Sequence, residues 1–206
     1  MSNQQQVVSP VLAAIFERRS LRQYENRPVP KALIEQILTA GMYAPSAHNR
    51  QPWRFAIIES AATKEYLARS MGARLRHDLE ADKVPQAVIE KDVQRSYERL
   101  TLAPVLIVVC ASVVDMDIYN DDRRNHNEYM MAVQSVAMAG QNILLAAHNS
   151  GLGACWMCAP LFCPDVVCDA LDLPEDWHPQ GIISLGYPAQ ERTKTREPLE
   201  TRVLWR

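Results

Sequence analysis

The run Pro104 to Ala111, PVLIVVCA, constrains the fold more than any other stretch of the chain. It is nearly continuous in apolar, largely β-prone residues, and no polar residue falls at alternate positions. A strand built from it has to be covered on both faces. The flanking sequence supplies helices. Val11, Leu12, Ile15 and Phe16 make one stripe of a helix from about Pro10 to Glu17, and a polar segment, Arg18 to Pro28, follows. Pro30 suits the first turn of a second helix carrying Leu33, Ile34, Ile37 and Leu38, which ends near Gly41 and is blocked from resuming by Pro45. Arg54 to Glu59 reads as a strand, and Thr63 to about Leu100 as charged helix broken near Pro85. Asp115 to Asn127 reads as a polar loop and Glu128 to Asn149 as a long helix rich in small residues. Ala154 to Cys158 and Ile182 to Gly186 read as strands, with a short helix from Pro164 to Leu171 between them. The sum is an α+β chain. Its 206 residues suit one domain, 1–206, with no linker and no repeat.

Composition narrows the function by exclusion. A formal net charge of −2 gives no global field for nucleic acid. No uninterrupted apolar segment reaches the roughly 20 residues a membrane span needs, and the opening MSNQQQ does not read as a leader peptide. Five cysteines, an odd number among apolar neighbours, fit a reducing cytoplasm rather than a disulfide framework. The sequence has no G-x-S-x-G, no G-x-x-x-x-G-K-[ST] and no H-E-x-x-H. Gly151-Leu152-Gly153 precedes a strand rather than a helix, so it is not a dinucleotide fingerprint.

Two basic clusters remain: Arg18-Arg19-Ser20-Leu21-Arg22 and Arg192-Thr193-Lys194-Thr195-Arg196. Guanidinium forks match phosphate oxygens bidentately, so two such clusters brought together would hold a phosphomonoester without a glycine loop. As separate segments they are only solvated basic surface. Ala44 to Trp53, APSAHNRQPW, is a stiff polar loop between helix and strand, able to offer backbone groups and an amide to a planar heterocycle, or simply to connect. Cys155, Cys158, Cys163 and Cys168 have a spacing that invites a metal, but side chains three apart on a strand face opposite sides. Cys168 shares an apolar helix face with Val167 and Leu171, so no metal is expected. The five histidines show no ligand spacing.

Taken in order, R-R-S-x-R after the first helix, A-P-S-A-H-N-x-Q-P-W-R-F, G-L-G-A-C-W before a short helix, and G-Y-P followed by K-x-R resemble the nitroreductase superfamily of FMN enzymes, from about Val11 to Arg206. The resemblance implies a mixed, mainly antiparallel central sheet flanked by helices, and a homodimer with FMN bound where two subunits meet. It assigns the flavin phosphate to Arg18, Ser20, Lys194 and Arg196, with Arg19 beside them, and the N1/O2 edge to Arg22. Pro45, Ser46 and Ala47 would reach the flavin of the other subunit, with Asn49, and Gln51 after it, fixing that loop or touching the ring. Trp156 and Met157 would lie against the ring, a backbone N–H near Cys158 or Ala159 would point at N5, and Arg99 would meet the ribityl chain. Many members of the family that the chain resembles carry glycine after the G-L-G-x-x-W-x stretch, where this chain has Cys158-Ala159-Pro160, and Pro160 has no N–H to offer.

The activity so implied passes hydride from NAD(P)H through flavin N5 to an electron-poor acceptor, a nitroaromatic or a quinone, in a ping-pong sequence, with no side chain as catalyst. The Thr63 to Leu100 stretch would roof the substrate pocket. Two other functions fit the same residues. The A-P-S-A-H-N-x-Q-P-W-R-F and A-L-D-L-P-E-D-W-x-P stretches are similar to the FMN domain that reduces a dehydro precursor of the deazaflavin coenzyme. A flavin-binding sensor without turnover would need the same binding set.

Overall fold

The computed structural model describes residues 9–206. Four strands form one sheet: β1 (Trp53–Ile58), β2 (Val105–Ala111), β3 (Gly153–Met157) and β4 (His178–Gly186), in the order β1-β2-β4-β3 with every ladder antiparallel. β2 is flanked on both sides, and all of its residues are buried. Side chains of period two divide it between two apolar layers. Val105, Ile107, Val109 and Ala111 face Ile34 and Ile37 of α2 (Lys31–Met42) and Val136, Ala139 and Ile143 of α5 (Asp122–Asn149). Leu106, Val108 and Cys110 face Leu67 and Met71 of α3 (Ala61–Ala81), Leu100 of α4 (Gln86–Thr101) and Val167 of α6 (Pro164–Leu171). The apolar run thus sits in the middle of three layers, as its composition demands. With α1 (Pro10–Glu17), six α-helices and four strands make an α+β fold among the described residues.

Several boundaries differ from expectation. The segment Asp115 to Asn127, expected as loop, is helical from Asp122. Asp121 caps α5, its carboxylate accepting the Arg124 N–H at 2.9 Å, and Asp122 lies at the positive end of the helix dipole. Residues 122–127 are solvent-exposed, so no apolar stripe marks this opening as helix. Pro30 precedes α2 as its cap instead of lying inside the first turn. β4 starts at His178, ahead of the expected Ile182. Val109 pairs with Gly181 and Cys110 with Pro179, so Gln180 is the extra residue of a bulge, which lets a proline stand in an interior strand.

β3 is an edge strand. The segment leaving α1 takes that edge: Ser20 forms an isolated parallel bridge with Ala154, and the Leu21 N–H donates to the Ala154 carbonyl at 3.1 Å. α1 itself buries no residue, and Val11 and Phe16 are 67% and 62% exposed.

Candidate functional site

Backbone pairing brings the two basic segments together. From the β3 edge the first continues to Tyr24, whose hydroxyl donates to the Leu21 carbonyl (2.7 Å) and shares a hydrogen bond with Ser184 Oγ of β4 (2.7 Å). Burial raises the Tyr24 phenol well above its ordinary value, so the group stays protonated as that donor. The C-terminal segment leaves β4 and lies along the same stretch. Glu25 N donates to the Tyr187 carbonyl (2.9 Å), and Ala189 N to the Gln23 carbonyl (3.1 Å).

Arg18, Arg19, Ser20, Arg22, Arg192, Lys194 and Arg196 consequently line one cavity of about 130 Å³. None of its six cations has a carboxylate in ion-pair contact among the described residues, whereas Arg50, Arg54, Arg69, Arg74, Arg76, Arg95 and Arg124 each do. Burial, then the charges of Arg196 and Arg19, hold the Arg18 guanidinium below its ordinary value, while Cys155 opposes that shift. Arg19 spends Nη1 on the carbonyls of Phe16 (2.6 Å) and Arg18 (2.8 Å), tying itself to the end of α1. Its Nε, like that of Arg22, is buried with no acceptor. Unsatisfied buried donors and mutually repelling cations cost stability unless an anion completes them. Beneath them the Cys155 thiol is raised by burial, with Arg22 and Ser20 drawing it back.

Arg22 also lines a second cavity, of about 320 Å³, with Ser96, Arg99 and Leu100 of α4, Trp156 and Met157 of β3, and Cys158 and Ala159 beyond it. The two cavities therefore share a wall. Neither the Cys158 nor the Ala159 N–H has a backbone acceptor among the described residues, and both residues are exposed. Pro160, which lacks an N–H, is the second residue of the 3-10 turn Ala159–Phe162 and is buried. Trp156 serves the core as well as the cavity. Its indole lies so close to Gly140 of α5 and Gly181 of β4 that a Cβ at either would approach it within 2.4 and 2.6 Å, and its Nε1 donates to Cys158 Sγ at 3.1 Å. Ser96 was not singled out from sequence, and Arg192 only as part of its basic cluster, with no role of its own. Ser96 lies three residues before Arg99, one helical turn away on the same face of α4, a spacing visible only once the inward face of that helix is known.

The Pro45–Asn49 loop lines neither cavity. It is docked on α5, where Ala47 N donates to Ser135 Oγ (3.3 Å) and Ser46 Oγ accepts the Gln51 N–H (3.1 Å). His48, Asn49 and Gln51 are left-handed at φ 49°, 55° and 52°. Within one chain, then, Pro45, Ser46, Ala47 and Asn49 stand apart from the basic cluster. All five cysteines are unpaired, and no three His, Cys, Asp or Glu side chains converge as metal ligands would among the described residues.

Comparison with known proteins agrees with this geometry. Residues 15–187 match the model of the nitroreductase family. A protein of Methanothermobacter thermautotrophicus, named provisionally as a NADH dehydrogenase/NAD(P)H nitroreductase, is 34% identical over 182 residues, 87% of this chain and 78% of the relative. A protein of Thermus thermophilus named NADH dehydrogenase is 31% identical over 225 aligned positions, covering 96% of this chain and 98% of its own. Among solved structures, a nitroreductase-like protein of Desulfovibrio desulfuricans in complex with FMN superposes with a TM-score of 0.73 at 29% identity, covering 96% of each chain.

Proposed function

The chain belongs to the nitroreductase family, and from that premise we propose that it is an FMN-dependent NAD(P)H oxidoreductase working as a homodimer. One observation carries the cofactor: six cations without carboxylate partners converge on a phosphate-sized cavity that shares Arg22 with a larger one lined by Trp156 and Met157. The residues fit FMN, since the buried Nε atoms of Arg19 and Arg22 lack acceptors and a phosphomonoester brings three. When bound, FMN would supply two-electron hydride chemistry linking NAD(P)H to an electron-poor acceptor such as a nitroaromatic or a quinone, in ping-pong order.

The protein's own residues bind and tune. Arg18, Ser20, Lys194 and Arg196 hold the phosphate, with Arg19 and Arg192 adding charge. Arg22, between the two cavities, places a fixed positive charge at the N1/O2 edge, which favours the anionic reduced ring. The free N–H groups of Cys158 and Ala159 are the donors for N5, and Ser96 joins Arg99 at the ribityl chain. Pro45, Ser46, Ala47 and Asn49, remote from the cluster in their own chain, reach the flavin held by a second copy. Exposed apolar surface supports that pairing: Val11, Leu12, Ile15 and Phe16 along α1, with Met130 and Met138 on the outer side of α5. A cytoplasmic setting accords with five unpaired cysteines.

The test is an absorbance spectrum of the purified protein and chromatography of what heat releases from it, followed by NADH and NADPH oxidation with menadione or a nitrofuran. Stoichiometric FMN and steady turnover are expected. A colourless protein that takes up no added FMN overturns the cofactor; bound FMN that neither nicotinamide reduces makes the protein a flavin-binding sensor.

A further inference from the structure

A third cavity, of about 240 Å³, lies against the other two. It shares Arg22 and Arg99 with the Trp156 cavity and Arg22 and Arg192 with the phosphate-sized one, and Arg95 and Leu102 belong to it alone among the three. We propose that this is a second anion site, for a tetrahedral oxyanion of the phosphate type, backing the flavin site and separate from the grip on the FMN phosphate.

Charge comes first. Arg22, Arg99 and Arg192 have no carboxylate partner among the described residues; Arg95 is held by Asp92 at 2.7 Å. Glu98 is the one acid on the wall, and its carboxylate accepts from Gln94 Nε2 at 2.8 Å. The site keeps a surplus of about two positive charges, which a phosphate near neutral pH matches. Next comes the arrangement of donors. A guanidinium presents its N–H groups around a plane, and Arg22 lines all three cavities while its Nε is buried without an acceptor. One ligand on one side leaves part of that fork unmet. Burial, then the charges of Arg22 and Arg95, lower the Arg99 guanidinium from its ordinary value, and an anion among these groups relieves that repulsion. Finally, FMN carries a single phosphate, already placed in the first cavity, and its ribityl chain and oxidised ring are uncharged, so they bring no second anion to the cations gathered here.

The inference rests on the flavin reading only in calling this site the second one. The test titrates inorganic phosphate into FMN-saturated protein in a chloride buffer of fixed ionic strength, by calorimetry and ³¹P NMR, beside Arg95→Glu. Arg95 is exposed and outside the flavin site, so that variant keeps its FMN. One phosphate per FMN-loaded chain, bound about tenfold more weakly by Arg95→Glu, is the expected result. Adenosine 2′-monophosphate as a second probe separates sources: tighter binding than phosphate, lost in the same variant, assigns the anion to a nucleotide, and equal binding assigns it to a free oxyanion. Phosphate that binds only the FMN-free protein and is displaced by FMN overturns the second site while leaving the flavin reading intact. So does binding that Arg95→Glu leaves unchanged. If the protein takes up no FMN, the flavin reading fails on its own, and the sensitivity of phosphate binding to Arg95→Glu still decides this one.

Discussion

Arg18 and Lys194 stand 176 positions apart and line the same small cavity. Hydrogen bonds to charged groups contribute about 1.5–3 kcal/mol each, so Arg18→Ala combined with Lys194→Ala should weaken FMN binding by roughly two orders of magnitude or more. The protein should stay folded and lose flavin on desalting, which absorbance of the retained fraction measures; full retention would remove both residues from the phosphate site. The cationic half of this site was legible in the sequence because Arg and Lys are interspersed with Ser and Thr within five residues at Arg18–Arg22 and again at Arg192–Arg196, donors of the kind a phosphate takes. Their pairing came only from the family resemblance, since it depends on backbone hydrogen bonds between residues 23–25 and 187–189 that no side chain announces. Ser96 stayed hidden for a different reason: α4 carries charge on most sides, and a serine among them has no pattern of its own.

α5 shows how an element can read one way and act another. By length and hydropathy it is apolar enough to span a membrane, yet it is the helix that covers the sheet, with Ala139, Ile143 and Ala147 fully buried. Its small residues leave room for a close neighbour, and what approaches is the Trp156 indole, against Gly140. Replacing a helical glycine by alanine ordinarily stabilises by about 1 kcal/mol. Here the new Cβ would lie 2.4 Å from Trp156 Cζ3, and overpacking of that kind costs about 1–3 kcal/mol. Gly140→Ala should therefore lose stability or at best gain none, with altered tryptophan emission, because the ring is also pinned from the far side by Gly181; denaturant melts of the two proteins check the sign. The core helices and β2 were legible from apolar periodicity. The opening turns of α5 and the first residues of β4 were not, the former being wholly solvated and the latter depending on a bulge.

At the scale of the whole molecule, one chain holds the basic cluster and the Pro45–Asn49 loop in different places, and the homodimer proposed above is what would bring them together. FMN-loaded protein should sediment as a dimer, and Phe16→Glu, at a side chain 62% exposed in one chain, should shift it toward monomer with little change in the stability of the subunit. A flavin-loaded monomer would count against a shared site. Every ladder of the sheet is antiparallel, yet the segment that carries Arg18 to Arg22 docks in parallel on its free edge, so the anion site is built where the sheet ends. Its two halves are not equally anchored. Ser20 is bridged to the buried Ala154 of β3, with Arg18 two residues before it, whereas Lys194 and Arg196 lie on an exposed, irregular tail. A clamp with one fixed jaw and one hinged jaw need not open the fold to let go: the lifetime of a ligand held there follows the peeling of some ten residues of coil, and a contact that damps that peeling slows release without touching the ligand.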